Sequence, residues 1–437
     1  MQSSQSGRLV TLVAVSGGNV KITDAGGTEW TTPTNGAAAL NSTGVVFAAA
    51  NNQKLWFADG VNWKYYDPAT NAVLAWTASV GTLPVDEDDN APRLICTWRG
   101  RTVLSGLLKD GQNVFLSRVG DPTNFDYAPV SPGTLDAVAF NSSPFGLVGD
   151  VVTCLIPASD DVLLIGGDHS IYQLRGDPML GGQLDLVSDA IGMAWGEPWC
   201  KDPYGVIYFV SNRMGIYAMQ PGRAPERISK PIEQLLKSVN TGSNTIRLLW
   251  DDRYQGMHVF VSATAAPTAN THLFWEARVN AWWTDVFGDN NFNPLSCCVF
   301  DGNTPDDRVS LIGSWDGYVR YLDPGATTDD GEEITSIVWI GPLTTKDLDE
   351  LMLHDMQAVL GEQSGDIEYA IHVGTTAEQA LTTEAVDSGT WTAGRNFTHI
   401  TRRAGHAIYV KLTATTPWAL ETVRARVAAL GKIRRRG

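Results

Sequence analysis

The chain has 437 residues, enough for two or three domains or for one large repeat array with an appendage. With 43 glycines, 21 prolines and only 18% charged residues, it favours short strands and tight turns over helices. The net charge of −16 falls on the first 333 residues, because residues 334–437 hold 11 acidic and 11 basic side chains; such a body excludes ordinary phosphate binding.

The N-terminus lacks a basic stretch followed by an apolar one, so no secretory leader is predicted. No apolar run reaches the roughly 20 residues of a membrane helix, so no membrane-spanning segment is predicted. Leu9–Val15 and Val20–Thr23 predict a hairpin around Ser16–Asn19. These early strands are expected to form part of a blade that a late strand completes. Val45–Ala48 and Leu55–Ala58 flank Asn51–Asn52 as a second hairpin, and strands at Trp63–Tyr66 and Val73–Trp76 follow. The acidic run Asp86–Asn90 reads as a solvated loop. Arg93–Trp98, Arg101–Ser105 and Val114–Ser117 read as three strands. Residues 128–150 are rich in Pro, Ser, Gly and Asn and predict a long connection.

A phrase then becomes visible. Leu55–Asp59 runs on to Tyr65-Tyr66-Asp67-Pro68, and Val162–Asp168 runs on to Ile171–Leu174. Val206–Ser211 runs on to Gly215–Met219, and Val309–Ser314 runs on to Asp316–Pro324. Each copy is an apolar strand, a polar turn and a strand carrying tyrosine. With aromatic strands at Tyr65, Phe125, Tyr172, Tyr217, Trp282 and Tyr321, the spacing predicts a diverged β-propeller of about six to eight blades over residues 1–333. One short helix is predicted at Ser229–Lys237, with further strands at Ile246–Trp250, Met257–Ser262, Thr271–Trp275 and Ala281–Thr284. Beyond Asp329–Glu333 the repeat stops. Ile334–Ile340, Ile367–Val373, Ile408–Leu412 and Val423–Val427 read as strands, Met352–Leu360 as a strand or short helix, and Ala377–Ala380 as a turn or a helical turn. Residues 334–437 thus predict a small β-sandwich ending in a basic tail, Lys432–Arg436.

The chemistry is sparse. Gly-x-Ser-x-Gly, the phosphate-binding loop and His-Glu-x-x-His are absent, and the seven histidines form no i, i+4 pair. The five cysteines (Cys96, Cys154, Cys200, Cys297, Cys298) are odd in number and irregular in spacing, which reads as reduced and mostly buried. The expectation is therefore a non-enzyme, with no catalytic residue, cofactor or metal site. Thr23–Trp30 comes near the Asp-box of sialidase-like propellers but lacks its serine and displaces the tryptophan by one position. A glycosidase, or a carbohydrate-binding propeller stacking sugars on Trp63, Trp282 and Trp283, stays open as the alternative.

Five phrases occur in a telling order: Ser117–Phe125, Asp161–Pro178, Gly205–Ser229, Trp282–Asp285 and Ile340–Pro342. As a set, from about residue 9 to 430, the chain resembles the tail nozzle or tail-hub (stabilisation) proteins of short-tailed bacteriophages. The resemblance implies a virion protein made in the host cytoplasm and assembled as a homo-oligomeric ring, usually a hexamer. It would sit below the head–tail adaptor and dock fibres or spikes. Genomic DNA would pass through without specific binding, and an acidic lining would serve that passage by repelling phosphate.

Overall fold

The computed structural model describes residues 11–23, 29–140, 146–301, 308–345 and 349–430. The Asp-box-like stretch lies mostly outside the described residues, as do the basic end Lys432–Arg436 and part of the 128–150 connection. The chain forms two compact units. One runs up to Val286 and includes Asn290–Leu322; the other comprises Phe287–Asp289 and the chain from Asp323 onward.

The first unit is a β-propeller. Among the described residues it holds seven up-and-down antiparallel sheets, in chain order. Blade 1 is Leu12–Ser16, Asn19–Thr23 and Trp30–Thr31. Blade 2 is Phe47–Asn51, Lys54–Ala58, Lys64–Asp67 and Ala72–Ala75. Blade 3 is Leu94–Trp98, Arg101–Ser105, Val114–Leu116 and Val138–Ala139. Blade 4 is Val152–Ser159, Val162–Gly167, Ile171–Arg175 and Gln183–Ser188. Blade 5 is Trp199–Lys201, Ile207–Val210, Ile216–Met219 and Glu226–Arg227. Blade 6 is Asn244–Asp251, Gly256–Ala263, His272–Glu276 and Ala281–Asp285. Blade 7 is Pro294–Asp301, Arg308–Ser314 and Val319–Tyr321.

The repeated phrase corresponds to the second and third strands of blades 2, 4, 5 and 7. Three of its turns use left-handed backbone, at Gly60, Met214 and Gly317 (φ 80°, 56° and 82°). First strands pack on first strands: Phe47–Asn51 on Leu94–Trp98, and that strand on Val152–Ser159. In the same way Trp199–Lys201 packs on Asn244–Asp251, and that strand on Pro294–Asp301. Apolar side chains fill the spaces between blades, with one cluster spanning blades 2 to 4, one blades 4 and 5, and one blades 5 and 6.

Side chains also clasp neighbouring blades through backbone carbonyls. Trp98 Nε1 donates to Ser159 O (2.9 Å), Lys201 Nζ to Ala158 O (2.6 Å), Ser262 Oγ to Pro294 O (2.6 Å) and Trp315 Nε1 to Ala263 O (3.1 Å). These bonds give strand-end carbonyls a donor from the adjacent blade.

Three sequence expectations need correction. Among the described residues blade 1 takes no late strand: Trp30–Thr31 pairs with Ile22 and Thr23, so local chain supplies the third strand. The 128–150 connection is not only a loop, because Val138–Ala139 forms the outer strand of blade 3. The acidic run is organised rather than simply solvated. Asp86 is buried and accepts hydrogen bonds from the backbone of Asp88, Asn90 and Lys109 and from the Asn90 amide. Its partial burial opposes ionisation, but these bonds outweigh that cost and hold its carboxyl at about 2.

The short helix appears as a 3-10 turn, Lys230–Ile232, followed by Glu233–Leu236. Ser229 does not cap it; its hydroxyl instead accepts from Ile216 N (3.0 Å), tying the segment to blade 5.

The second unit is a β-sandwich. One sheet orders Ser336–Leu343, Ala407–Ala414, Ile367–Gly374 and Asp387–Trp391; the other orders Gly394–Gly405, Leu351–Leu360 and Leu420–Ala429. Leu351–Leu360 is therefore a strand, and Ala377–Thr382 is a helix capped by Thr376, whose side chain accepts from Gln379 N. Alternation along Ile367–Gly374 buries Ile367, Tyr369 and Ile371 in the core with Leu353, Trp391 and Leu412.

Candidate functional site: a cavity at the inner strands of the propeller

Asp59 and Asp316 of the phrase, and Asp202 just ahead of its third copy, are turn scaffolds. Asp59 accepts from the backbone of Asn41, Val61 and Asn62, and Asp202 from Tyr204 and Val206. Asp316 binds Arg320, whose guanidinium lies 4.3 Å from the Phe292 ring. Carboxylates committed in this way fix turn geometry and are not free to act on a ligand.

The inner strands hold small residues where they converge. Ala48, Ala49 and Ala50 occupy the first strand of blade 2, and Cys96, Cys154, Cys200 and Cys297 the first strands of blades 3, 4, 5 and 7. All five cysteines are free; Cys96, Cys154 and Cys200 are buried, Cys297 is half-buried and Cys298 exposed. Desolvation raises every one of these thiols, Cys297 up to about 12, and the buried Cys96, Cys154 and Cys200 pack as small apolar groups. Irregular spacing in the sequence concealed this common placement, because loop lengths differ from blade to blade.

Between these strands lies a cavity of about 630 Å³. Phe47 of blade 2, Thr153 of blade 4 and Asn244–Arg247 of blade 6 line it, with Ala194 and Trp195 from the segment entering blade 5. Two hairpin turns, at Asp168 and Asn212, complete its wall. Arg247 crosses from blade 6 to place its guanidinium 5.4 Å from the Phe47 ring, while its Nε donates to Leu295 O (3.3 Å). Asn212 Nδ2 donates to Asp168 O (2.7 Å) and to the Asp168 carboxylate. Trp195 remains 38% exposed with the Arg93 guanidinium 4.3 Å from its ring. Glu197, two residues on, reaches solvent yet is ringed by protein; that burial raises its carboxyl, and Arg247 partly opposes the rise.

The tryptophans singled out as sugar platforms divide. Trp63 packs edge-on against Trp76 at 5.0 Å, and Trp282 lies 6.1 Å from Trp275, so both belong to the core; Trp283 is exposed. Trp195, which no motif announced, is exposed and lines a cavity. Among the described residues no group of three or more His, Cys, Asp and Glu is placed to hold a metal ion, and no helix is long and apolar enough to cross a membrane.

His258, on the second strand of blade 6, has a different consequence. Its ring stacks on Phe260 (5.6 Å) and lies 4.7 Å from Phe274, and its Nε2 meets no hydrogen-bond partner among the described residues. Burial lowers its ionisation to about 4; Asp251 opposes this and Arg253 reinforces it. Between pH 6.5 and about 4 the unfolded chain binds a proton that the folded chain refuses, so stability falls as pH falls through this window. The loss should be on the order of 2–3 kcal/mol. Comparing guanidinium titrations of wild type and His258→Phe at pH 7.5 and 4.5 checks it: the variant should lose less stability on acidification.

No family model and no curated protein matches the chain. Among solved structures, the extracellular domain of BT4673 from B. thetaiotaomicron is 12% identical, over 91% of this chain and 52% of that one, with a TM-score of 0.49. That of BT3049 from the same organism is 10% identical, over 92% and 46%, at 0.45. The chain thus spans about half the length of these two. YCF48 from Cyanidioschyzon merolae is 10% identical, over 74% and 94%, at 0.43. The propeller assignment rests on the sheets themselves.

Proposed function

We propose that this chain is a non-enzymatic virion protein, a subunit of the distal tail nozzle or hub of a short-tailed phage. The observation that carries the reading is the ordered set of five phrases, together with what those residues do. Ser117 Oγ accepts from Thr102 N (3.0 Å), and Arg118 pairs with Asp136 (2.8 Å), which together tie down the outer part of blade 3. Asp161 and Asp177 receive Arg99 and Arg101 across the boundary between blades 3 and 4. Gly222 N donates to Gln173 Oε1 (2.8 Å), joining blade 5 to blade 4. Residues that hold blades together suit a load-carrying subunit.

Two further features support assembly. Among the described residues the strand Leu420–Ala429 is paired on one side only; it is exposed from Arg424 onward, and a long free edge favours pairing with another chain. The negative charge on the first 333 residues suits a channel that lets DNA slide past without binding it. In this role the subunit forms a homo-oligomeric ring, a hexamer, beneath the head–tail adaptor and carries fibres or spikes. Negative-stain microscopy of the purified protein tests it, with closed rings as the expected result. Monodisperse monomers, together with absence of the chain from intact particles by mass spectrometry, would refute it.

A further inference from the structure

We infer that the cavity at the inner strands of the propeller is a binding site for a neutral saccharide, a short oligosaccharide or one sugar of a longer chain. The inference does not depend on the virion reading, and it places recognition at residues other than the tryptophans that the sequence brought forward.

Size comes first. A volume of about 630 Å³ lies within the roughly 300–1,000 Å³ typical of small-molecule pockets. The hydrogen-bonding capacity of the wall follows. Arg247 is positioned by the Phe47 face and by its Nε bond to Leu295 O, and no bond to a described residue engages its two terminal amino groups. Asn212 spends its amide nitrogen on Asp168, which leaves its carbonyl oxygen as an acceptor. The Trp195 indole N–H makes no bond to a described residue, and its ring is held by Arg93 while staying 38% exposed. Asn244 donates its amide to Asn240 O (2.9 Å), which likewise leaves a carbonyl oxygen at the wall.

This set discriminates between ligand classes. An apolar ligand would strip water from Arg247 and Asp168 without replacing it, at a cost of about 1–3 kcal/mol for each polar group or more. An anion would meet Arg247 but also the carboxylates of Asp168 and, beside the cavity, Glu197. A cation would face the fixed guanidinium. A polyhydroxylated, uncharged molecule satisfies all of them. Its hydroxyls donate to Asn212, Asn244 and Asp168 and accept from Arg247 and Trp195, while its C–H face lies against an aromatic ring. Because the side chains are already fixed, binding orders little of the protein, which favours affinity.

The test uses the whole chain and a defined panel: methyl glycosides of glucose, galactose, mannose and N-acetylglucosamine, maltotriose, and inorganic phosphate. Saturation-transfer NMR and tryptophan fluorescence should show saturable binding of at least one neutral saccharide. Trp195→Ala and Arg247→Met should weaken it at least about tenfold, a loss of about 1.4 kcal/mol. Trp283→Ala should leave it unchanged. Asn212→Ala, on an exposed turn, serves if Arg247→Met fails to fold, and a diazirine-bearing form of the bound sugar should label cavity residues in the unaltered protein. No saccharide bound, equal binding by the cavity variants, labelling elsewhere, or a preference for phosphate would overturn the inference. Microscopy of rings reads out the virion proposal separately, so either proposal can fail alone.

Discussion

Replacing Arg101 with methionine should destabilise the propeller by about 3–5 kcal/mol. Arg101 is completely buried, yet all three of its guanidinium nitrogens are engaged. Its Nη2 donates to both Asp177 oxygens at 3.1 Å and its Nε to Oδ2 at 3.2 Å. Nη1 donates to Ser117 O (2.9 Å) and Asp136 O (2.6 Å). One side chain therefore joins the second strand of blade 3, its outer connection and the turn after the third strand of blade 4. Burial disfavours the charged form of Arg101, and the Asp177 contact counters this.

Deleting the cation leaves Asp177 buried, with Arg99 at 4.0 Å as its remaining charged partner and Met179 N (2.9 Å) still donating to it, and removes the donor from two carbonyls. The double variant Arg101→Met/Asp177→Asn should recover about half the loss, because the unpaired charge is gone while the carbonyls still lack a donor. Guanidinium titrations followed by tryptophan fluorescence measure both. A single-variant cost below about 1 kcal/mol, or a double variant worse than the single, would show that the ion pair does not tie blade 3 to blade 4.

The sequence reveals what depends on neighbouring residues. Strand alternation at Ile367–Val373 and the turn residues of the phrase are local, and the corresponding strands lie where those patterns put them. What depends on distant pairing stays hidden. Nothing in Val138-Ala139 marks a strand; it becomes one because Phe115 and Leu116 offer an unpaired edge. The grouping of Phe47, Trp195 and Arg247 around a cavity joins residues far apart in the chain, and no periodicity signals it. Asp177 looks like one more turn aspartate, and only the fold shows it facing Arg101.

Trp76→Ala should cost about 3–5 kcal/mol, among the largest effects of any single apolar truncation in the propeller. Trp76 is 2% exposed, and its ring lies 4.6 Å from Trp56, 5.0 Å from Trp63 and 6.3 Å from Phe125. Its indole nitrogen donates to Pro122 O (3.0 Å). Phe125 and its neighbour Asn124 pair in parallel with Val80–Gly81, just beyond Trp76. The segment Asp121–Phe125 is thus held to the chain leaving blade 2 by an aromatic group, a short strand pair and two hydrogen bonds between Ser79 and Thr123, although it follows the third strand of blade 3. Trp76→Phe keeps part of the packing but loses the indole donor, so it should cost about 1–3 kcal/mol. Trp283→Ala, at 50% exposure on an outer strand, should stay within about 0.5 kcal/mol. Equal losses at the two tryptophans would contradict the packing described. The expected contrast follows from burial: Trp76 is enclosed by other aromatic rings, whereas Trp283 on the outer strand of blade 6 stays half exposed and has little packing to lose.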